Sequence, residues 1–250
     1  MYLHETFLRA IELDRSRVPD FDRYPFNLAA VRELGKLELH PKVTYIIGEN
    51  GMGKSTLMES IAVAWGFNPE GGTKNFTFST EATHSNLHEF IRLIRGVRKA
   101  RDGFFFRAES YYNLATSIEE MDRDPLGGSS IISSYGGKSL HEQSHGESFF
   151  ATFIHRFGGQ GLYILDEPEA ALSPLRQMSM LARIHQLVGR DSQFIIATHS
   201  PILMAYPDSI MYEMTPEGIQ TTTLEETDHY AIMKRFLNDK ERMLKELFED

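Results

Sequence analysis

The stretch Val43-Thr44-Tyr45-Ile46-Ile47-Gly48-Glu49-Asn50-Gly51-Met52-Gly53-Lys54-Ser55 decides the reading of this chain. Its first five residues are β-branched, aromatic and apolar on both faces, the pattern of a buried parallel strand. Gly48 to Ser55 then matches G-x-x-x-x-G-K-[ST], and Ser55 to Trp65 has helical spacing with Gly66 as a stop. A strand before and a helix after are the setting in which this motif cradles phosphate. Glycines let the backbone wrap a phosphate chain without a Cβ clash. The row of N–H groups and the positive end of the helix then favour an anion. Gly48, Glu49, Asn50, Gly51, Gly53, Lys54, Ser55 and Thr56 are the candidate nucleotide contacts. Lys54 is placed for the β and γ phosphates, the Ser55 hydroxyl for Mg²⁺, and Thr56 for the α phosphate. At this point an ATPase, a nucleotide kinase and a GTPase all fit.

Two further strand ends extend the reading. Leu162-Tyr163-Ile164-Leu165-Asp166-Glu167 is an apolar strand closing on two acids, where parallel sheets present their ligands. Asp166 is the candidate metal ligand, and Glu167 is the candidate catalytic group that orients and polarises water. Gln193 to Ala197 is a third buried strand, followed by Thr198-His199-Ser200-Pro201. His199 is there a candidate catalytic residue that hydrogen-bonds the γ phosphate and senses its loss. Gln143-Ser144-His145-Gly146-Glu147-Ser148 supplies a second candidate anion site, Ser144 and Gly146, at a helix start. An ordinary helix cap is the simpler reading of that stretch taken alone.

Around these strands, residues 1–40 read as short strands and loops with Phe7, Ile11, Phe21 and Phe26 as core. Phe76 to Ser79 and Phe104 to Phe106 read as strands. Leu87, Phe90, Ile91, Ile94 and Val97 predict a helix over 85–101, and Tyr111 to Met121 predicts another. Residues 85–140 are therefore expected to be a mostly helical insertion within a single domain spanning 1–250. Gly146 to Arg156 and Pro174 to Gly189 predict helices, the second with Leu175, Met178, Leu181, Ile184 and Leu187 on one side. Ser209 to Glu213 and Ile219 to Thr223 predict a hairpin, and 225–250 a C-terminal amphipathic helix. Strands alternating with helices imply an α/β fold with a mostly parallel sheet.

Composition sets the outer bounds. The 250 residues carry a net charge of −9 and 41% hydrophobic residues, ordinary globular usage that argues against a dedicated basic nucleic-acid binder. With no cysteine, disulfides, thiolate zinc sites and thiol nucleophiles are excluded. The start of the chain does not read as a signal peptide, and no long uncharged apolar window predicts a membrane span. A cytoplasmic protein is expected. Arg92, Arg95, Arg98, Lys99, Arg101 and Arg107 form the densest basic stretch. A solvated face is its simpler reading, and a patch for a protein partner or nucleic acid is the functional one.

In this order the motifs resemble the ABC-type P-loop ATPase superfamily. Gly48–Ser55 looks like its Walker A loop, Ser144-His145-Gly146-Glu147 like a shortened signature, and Leu162–Glu167 like its Walker B strand. Ala171-Leu172-Ser173-Pro174 looks like the D-loop and His199 like the switch histidine. The run Asp166 to Pro174 is closer to the soluble, AAA-labelled, SMC-like ATPases of bacteria than to transporter subunits. The chain departs from transporters in lacking both the fuller signature and a clear Q-loop glutamine, whose region holds Gly103 to Ser110. Tyr24 and Phe26 are weak candidates for the aromatic that stacks on adenine.

The resemblance implies an ABC-ATPase-like core with a small helical subdomain. It implies a protein that binds ATP and Mg²⁺, closes as a head-to-tail homodimer, hydrolyses ATP and thereby switches a partner. The alternatives are the ATP-binding subunit of a membrane transporter, or a nucleotide-gated binding module acting on nucleic acid or on a toxin or nuclease.

Overall fold

The computed structural model describes residues 6–74, 85–123, 132–142 and 145–249. The expected strand Phe76–Ser79 and the candidate Ser144 lie outside these residues. In chain order the elements are β1 (Leu8–Leu13), α1 (Ala29–Arg32), β2 (Lys36–Glu38), β3 (Val43–Gly48), α2 (Lys54–Trp65), β4 (Ile91–Arg95) and β5 (Asp102–Arg107). They continue with α3 (Tyr111–Arg123), α4 (His145–Arg156), β6 (Gly161–Asp166), α5 (Pro174–Val188), β7 (Gln193–Ala197), α6 (Pro201–Met204), β8 (Ser209–Thr215) and β9 (Gly218–Thr221). The last two are α7 (Asp228–Asn238) and α8 (Lys240–Phe248).

The central sheet runs β5-β6-β7-β3-β8-β9. All its pairs are parallel except the closing β8–β9 hairpin. This is the mostly parallel α/β architecture expected from the alternation of elements. Its two faces are both dry. Val43, Tyr45 and Ile47 of β3 pack with Phe104, Phe106, Tyr163 and Phe194 under α3, α4 and α5. Ile46, on the opposite face, packs with Phe105, Ile164 and Ile195 under α2. Period-two alternation within an all-apolar strand thus feeds two cores at once. On α2, Leu57, Met58, Ile61, Ala62 and Trp65 are buried. At about 1.5–3 kcal/mol for each large apolar side chain, this face anchors the helix that follows the glycine loop.

A smaller antiparallel sheet, β2-β1-β4, covers the α2 side. Side chains of the central sheet reach across to it: the Tyr212 hydroxyl on β8 donates to the Glu38 carbonyl on β2 at 2.8 Å, and Gln193 on β7 makes four bonds. Gln193 Oε1 accepts from the backbone N–H groups of Phe7 and Leu8, both at 3.0 Å, and its Nε2 donates to the carbonyls of Leu8 and His40 at 2.7 and 3.0 Å. Phe7, Ile11 and Phe26 are core, as expected, and Phe21 packs at its margin.

Three expectations need correction. Residues 85–101 do not form a helix: a short 3-10 turn at Asn86–Glu89 leads into β4. Ile91 to Leu93 alternates only briefly, and antiparallel pairing with β1 makes the segment a strand. Val97, counted on the apolar face, is exposed. The segment 85–140 accordingly holds two strands besides α3, and β5 is the edge of the central sheet itself. Along α5 the structure buries Met180, Ile184 and Leu187 but leaves Leu175 and Met178 exposed. The C-terminal helix is two helices, divided at Asp239, and neither has a buried residue.

Candidate nucleotide site

The carboxyl ends of β3, β5, β6 and β7 converge beside the start of α2. Gly48 ends β3 at φ 136°, and a Cβ there would lie 2.5 Å from the Met214 carbonyl oxygen, so only glycine opens this loop. Beyond it lies a cleft of about 460 Å³ lined by Tyr24, Leu28, Asn50, Gly51, Gly53, Lys54, Ser55, Thr56, Glu109 and Glu167. Lys54 is 4% exposed. Its Nζ donates to the carbonyls of Gly48 at 2.8 Å and Glu49 at 3.0 Å. Burial lowers its pKa, opposed by the charges of Glu167, Asp166 and Glu169. The ammonium is thus held inside the loop by weak carbonyl partners, and a phosphate would be a stronger one.

Asp166, 3% exposed, sits at the end of β6, in register with Arg107 on one side and Ala197 on the other. Burial pushes its carboxyl up to about 7, against a hydrogen bond from Ser55 and the charge of Arg107. Its Oδ1 has no hydrogen-bond partner among the described residues. A buried carboxylate oxygen without a partner, next to a serine hydroxyl, is a pair of hard oxygen donors, and it fits Mg²⁺.

The next residue turns sharply. Glu167 has φ 50°, and its N–H continues the ladder to the Ala197 carbonyl at 2.9 Å. Its Oε1 lies 3.6 Å from His199 Nε2. The His199 backbone N–H donates to Glu169 Oε1, and its ring Nδ1 lies 2.9 Å from Nε2 of His229 on α7. Burial, and then the charge of Lys54, lower the pKa of His199, so its ring is neutral near pH 7. Glu49, on the far side of the loop, lines a second hollow of about 520 Å³ with His199, His229, Pro201 and Phe236.

The family described as "AAA domain, putative AbiEii toxin, Type IV TA system" matches residues 80–205, half of the chain. The family described as "AAA domain" matches residues 26–124. The chain belongs to the AAA-type P-loop ATPases. Among solved structures, an ABC transporter assigned to the metal-chelate type, in an inward-facing conformation, is 14% identical. That match covers 91% of this chain and 88% of that one, with a TM-score of 0.50, and it shows a shared fold. An ATP binding subunit of an ABC transporter is 16% identical over 92% of this chain and 93% of that one, at a TM-score of 0.48. The SMC head domain from Thermotoga maritima is 16% identical over 87% and 99%, at 0.44.

In this AAA-type ATPase the structure gathers Lys54, Ser55, Asp166, Glu167 and His199 into one crevice. It leaves Gly146 apart from them. Gly146 lies in the first turn of α4, and its carbonyl accepts from Arg176 Nη1 at 3.1 Å. A Cβ on Gly146 would lie 2.2 Å from the Ala171 carbonyl oxygen. Phe26 is 2% exposed and packs edge-on against Phe90, so it is no base-stacking residue. Tyr24 is 62% exposed at the rim of the cleft, with its hydroxyl 3.1 Å from Thr56 Oγ1. Sequence reasoning passed over Glu169 and His229, and left Arg107 without a role. Arg107 pairs with Glu59 at 2.7 Å and Glu109 at 3.1 Å beside Asp166. Only the spacing of acids in Asp-Glu-Pro-Glu hinted at Glu169, and nothing local marked His229. Among the described residues no helix is long and apolar enough to cross a membrane.

Proposed function

We propose that this AAA-type ATPase binds ATP with Mg²⁺ in the 460 Å³ cleft, closes on a second copy head to tail, and hydrolyses ATP to ADP and phosphate to switch a partner. The observation that carries this reading is the buried Asp166, hydrogen-bonded to Ser55 next to the buried Lys54, with Glu167 lining the same cleft. Lys54 turns from the loop carbonyls to the β and γ phosphates. Asn50, Gly51, Gly53 and Thr56 hold the phosphate chain through backbone and hydroxyl donors. Ser55 and Asp166 are the residues that would hold Mg²⁺, which when bound offsets phosphate charge. Glu167 accepts a proton as a water oxygen bonds to the γ phosphorus and the bond to the bridging oxygen breaks. His199 Nε2, beside Glu167, donates to the γ phosphate.

Two observations favour closure by a second copy. Gly146 stands outside the cleft of its own chain, so a nucleotide that meets it would belong to a second copy. Leu175 and Met178 stay exposed immediately after the Ala171–Pro174 run. Calorimetry with ATP and Mg²⁺ tests binding. Lys54→Ala is expected to weaken it by roughly 2–5 kcal/mol. Glu167→Gln is expected to keep binding, lose about 100-fold or more in turnover, and elute as a dimer with ATP in size-exclusion chromatography. A monomeric Glu167→Gln protein with intact turnover overturns the assignment of Glu167.

A further inference from the structure

The pair His199–His229 joins the sheet to α7, and its geometry restricts where the protons sit. Nδ1 of His199 lies 2.9 Å from Nε2 of His229, so one ring donates and the other accepts. The two outer nitrogens, His199 Nε2 and His229 Nδ1, are buried without hydrogen-bond partners among the described residues. A neutral imidazole carries one N–H. Suppose His199 donates from Nδ1. Its Nε2 then turns a lone pair toward the Glu167 carboxylate at 3.6 Å, and His229 is left with a buried N–H that meets no acceptor. Suppose instead His229 donates from Nε2. His199 then directs an N–H at the carboxylate, and His229 keeps only a bare lone pair on Nδ1. The second arrangement avoids both penalties, since a buried unpaired donor is costly and opposed lone pairs repel.

We propose that His229 is a positioning residue for His199: its Nε2–H donates to His199 Nδ1 and keeps the His199 proton on Nε2, the nitrogen facing Glu167. That is the tautomer able to donate to a γ phosphate, so the inference rests on the ATPase reading above. The position of His229 is itself built. Thr227 is fully buried and caps α7, accepting from the Tyr230 N–H at 3.2 Å while its hydroxyl donates to the Leu224 carbonyl at 2.7 Å. A reciprocal Thr223–Glu226 cap precedes it. His229 is the second residue of α7. α7 buries no residue of its own, and the histidine pair is a direct hydrogen-bonded contact between it and the segment after β7.

The test compares His229→Ala and His229→Gln with the wild-type protein. His229→Ala is expected to lower kcat for ATP hydrolysis about 10-fold, as loss of an orienting partner does, with KM within about 2-fold because ground-state binding is untouched. His229→Gln offers an amide N–H in place of Nε2–H and is expected to recover most of the rate. Long-range 15N–1H correlation spectra of labelled, nucleotide-free protein are expected to show the His199 proton on Nε2, and a shift toward Nδ1 in His229→Ala. An unchanged kcat in a folded His229→Ala protein overturns the inference. So does equal loss in both variants, or a wild-type spectrum with the proton on Nδ1. If the wild type hydrolyses no ATP, the ATPase reading fails, and the spectrum still decides the tautomer.

Discussion

At the scale of single residues, Asp166 sets stability against function. A carboxylate pushed up to about 7 by burial is protonated in the fold and ionised in the unfolded chain between about pH 4 and pH 7. The fold binds more protons there, so stability falls as pH rises through that window and is flat above it. A shift of this size corresponds to about 4 kcal/mol. Asp166→Asn removes the penalty and, on the proposed assignment, most Mg²⁺ affinity. Its nucleotide-free form is expected to melt above the wild type at pH 8, with the gap closing toward pH 4.5 in a calorimetric scan. Residues of this kind were legible because a covalent spacing defines them: Lys54 by its loop, Asp166 and Glu167 by their place after an apolar run, His199 by its strand end. Arg107, Glu169 and His229 act through partners distant in sequence, and no local pattern encodes such pairings.

At the scale of elements, strands apolar on both faces were readable because burial on two sides leaves only one pattern. β4 was not. Its apolar residues keep helical spacing and alternate only from Ile91 to Leu93, so pairing with the neighbouring β1 decides. Helix α4 makes a sharper case. Gly146 lies in its first turn, where alanine would ordinarily gain about 1 kcal/mol of helix propensity. The close approach of the Ala171 carbonyl reverses the sign. Gly146→Ala must push the loop after Glu167 away, and a net loss of about 1–3 kcal/mol is expected from urea denaturation. A stabilised variant contradicts the packing of α4 on that loop. Next to that loop, the start of α5 carries the exposed Leu175 and Met178, which periodicity put on the same side as Ile184 and Leu187.

At the scale of the whole molecule, one amide clasps the small sheet to the central one, beside the Tyr212–Glu38 bond. Gln193→Met keeps the volume but strands the N–H groups of Phe7 and Leu8. About 2–4 kcal/mol of unfolding free energy is expected to be lost, read from the denaturant midpoint. If the midpoint does not move, apolar packing and the Tyr212–Glu38 bond hold the small sheet without the amide. Sequence reasoning reached the central sheet but not this clasp, because a buried glutamine in an apolar strand declares no partner. The strand order has a consequence for biosynthesis. β3, which leads into the phosphate loop, is flanked on both sides by segments encoded far downstream, β7 and β8. During translation it waits for about 150 further residues, about 8–30 seconds at about 5–20 residues per second. Until then its two bare edges are open to chaperones or to a neighbouring nascent chain, so the strand that carries the phosphate loop gains both neighbours long after it is made.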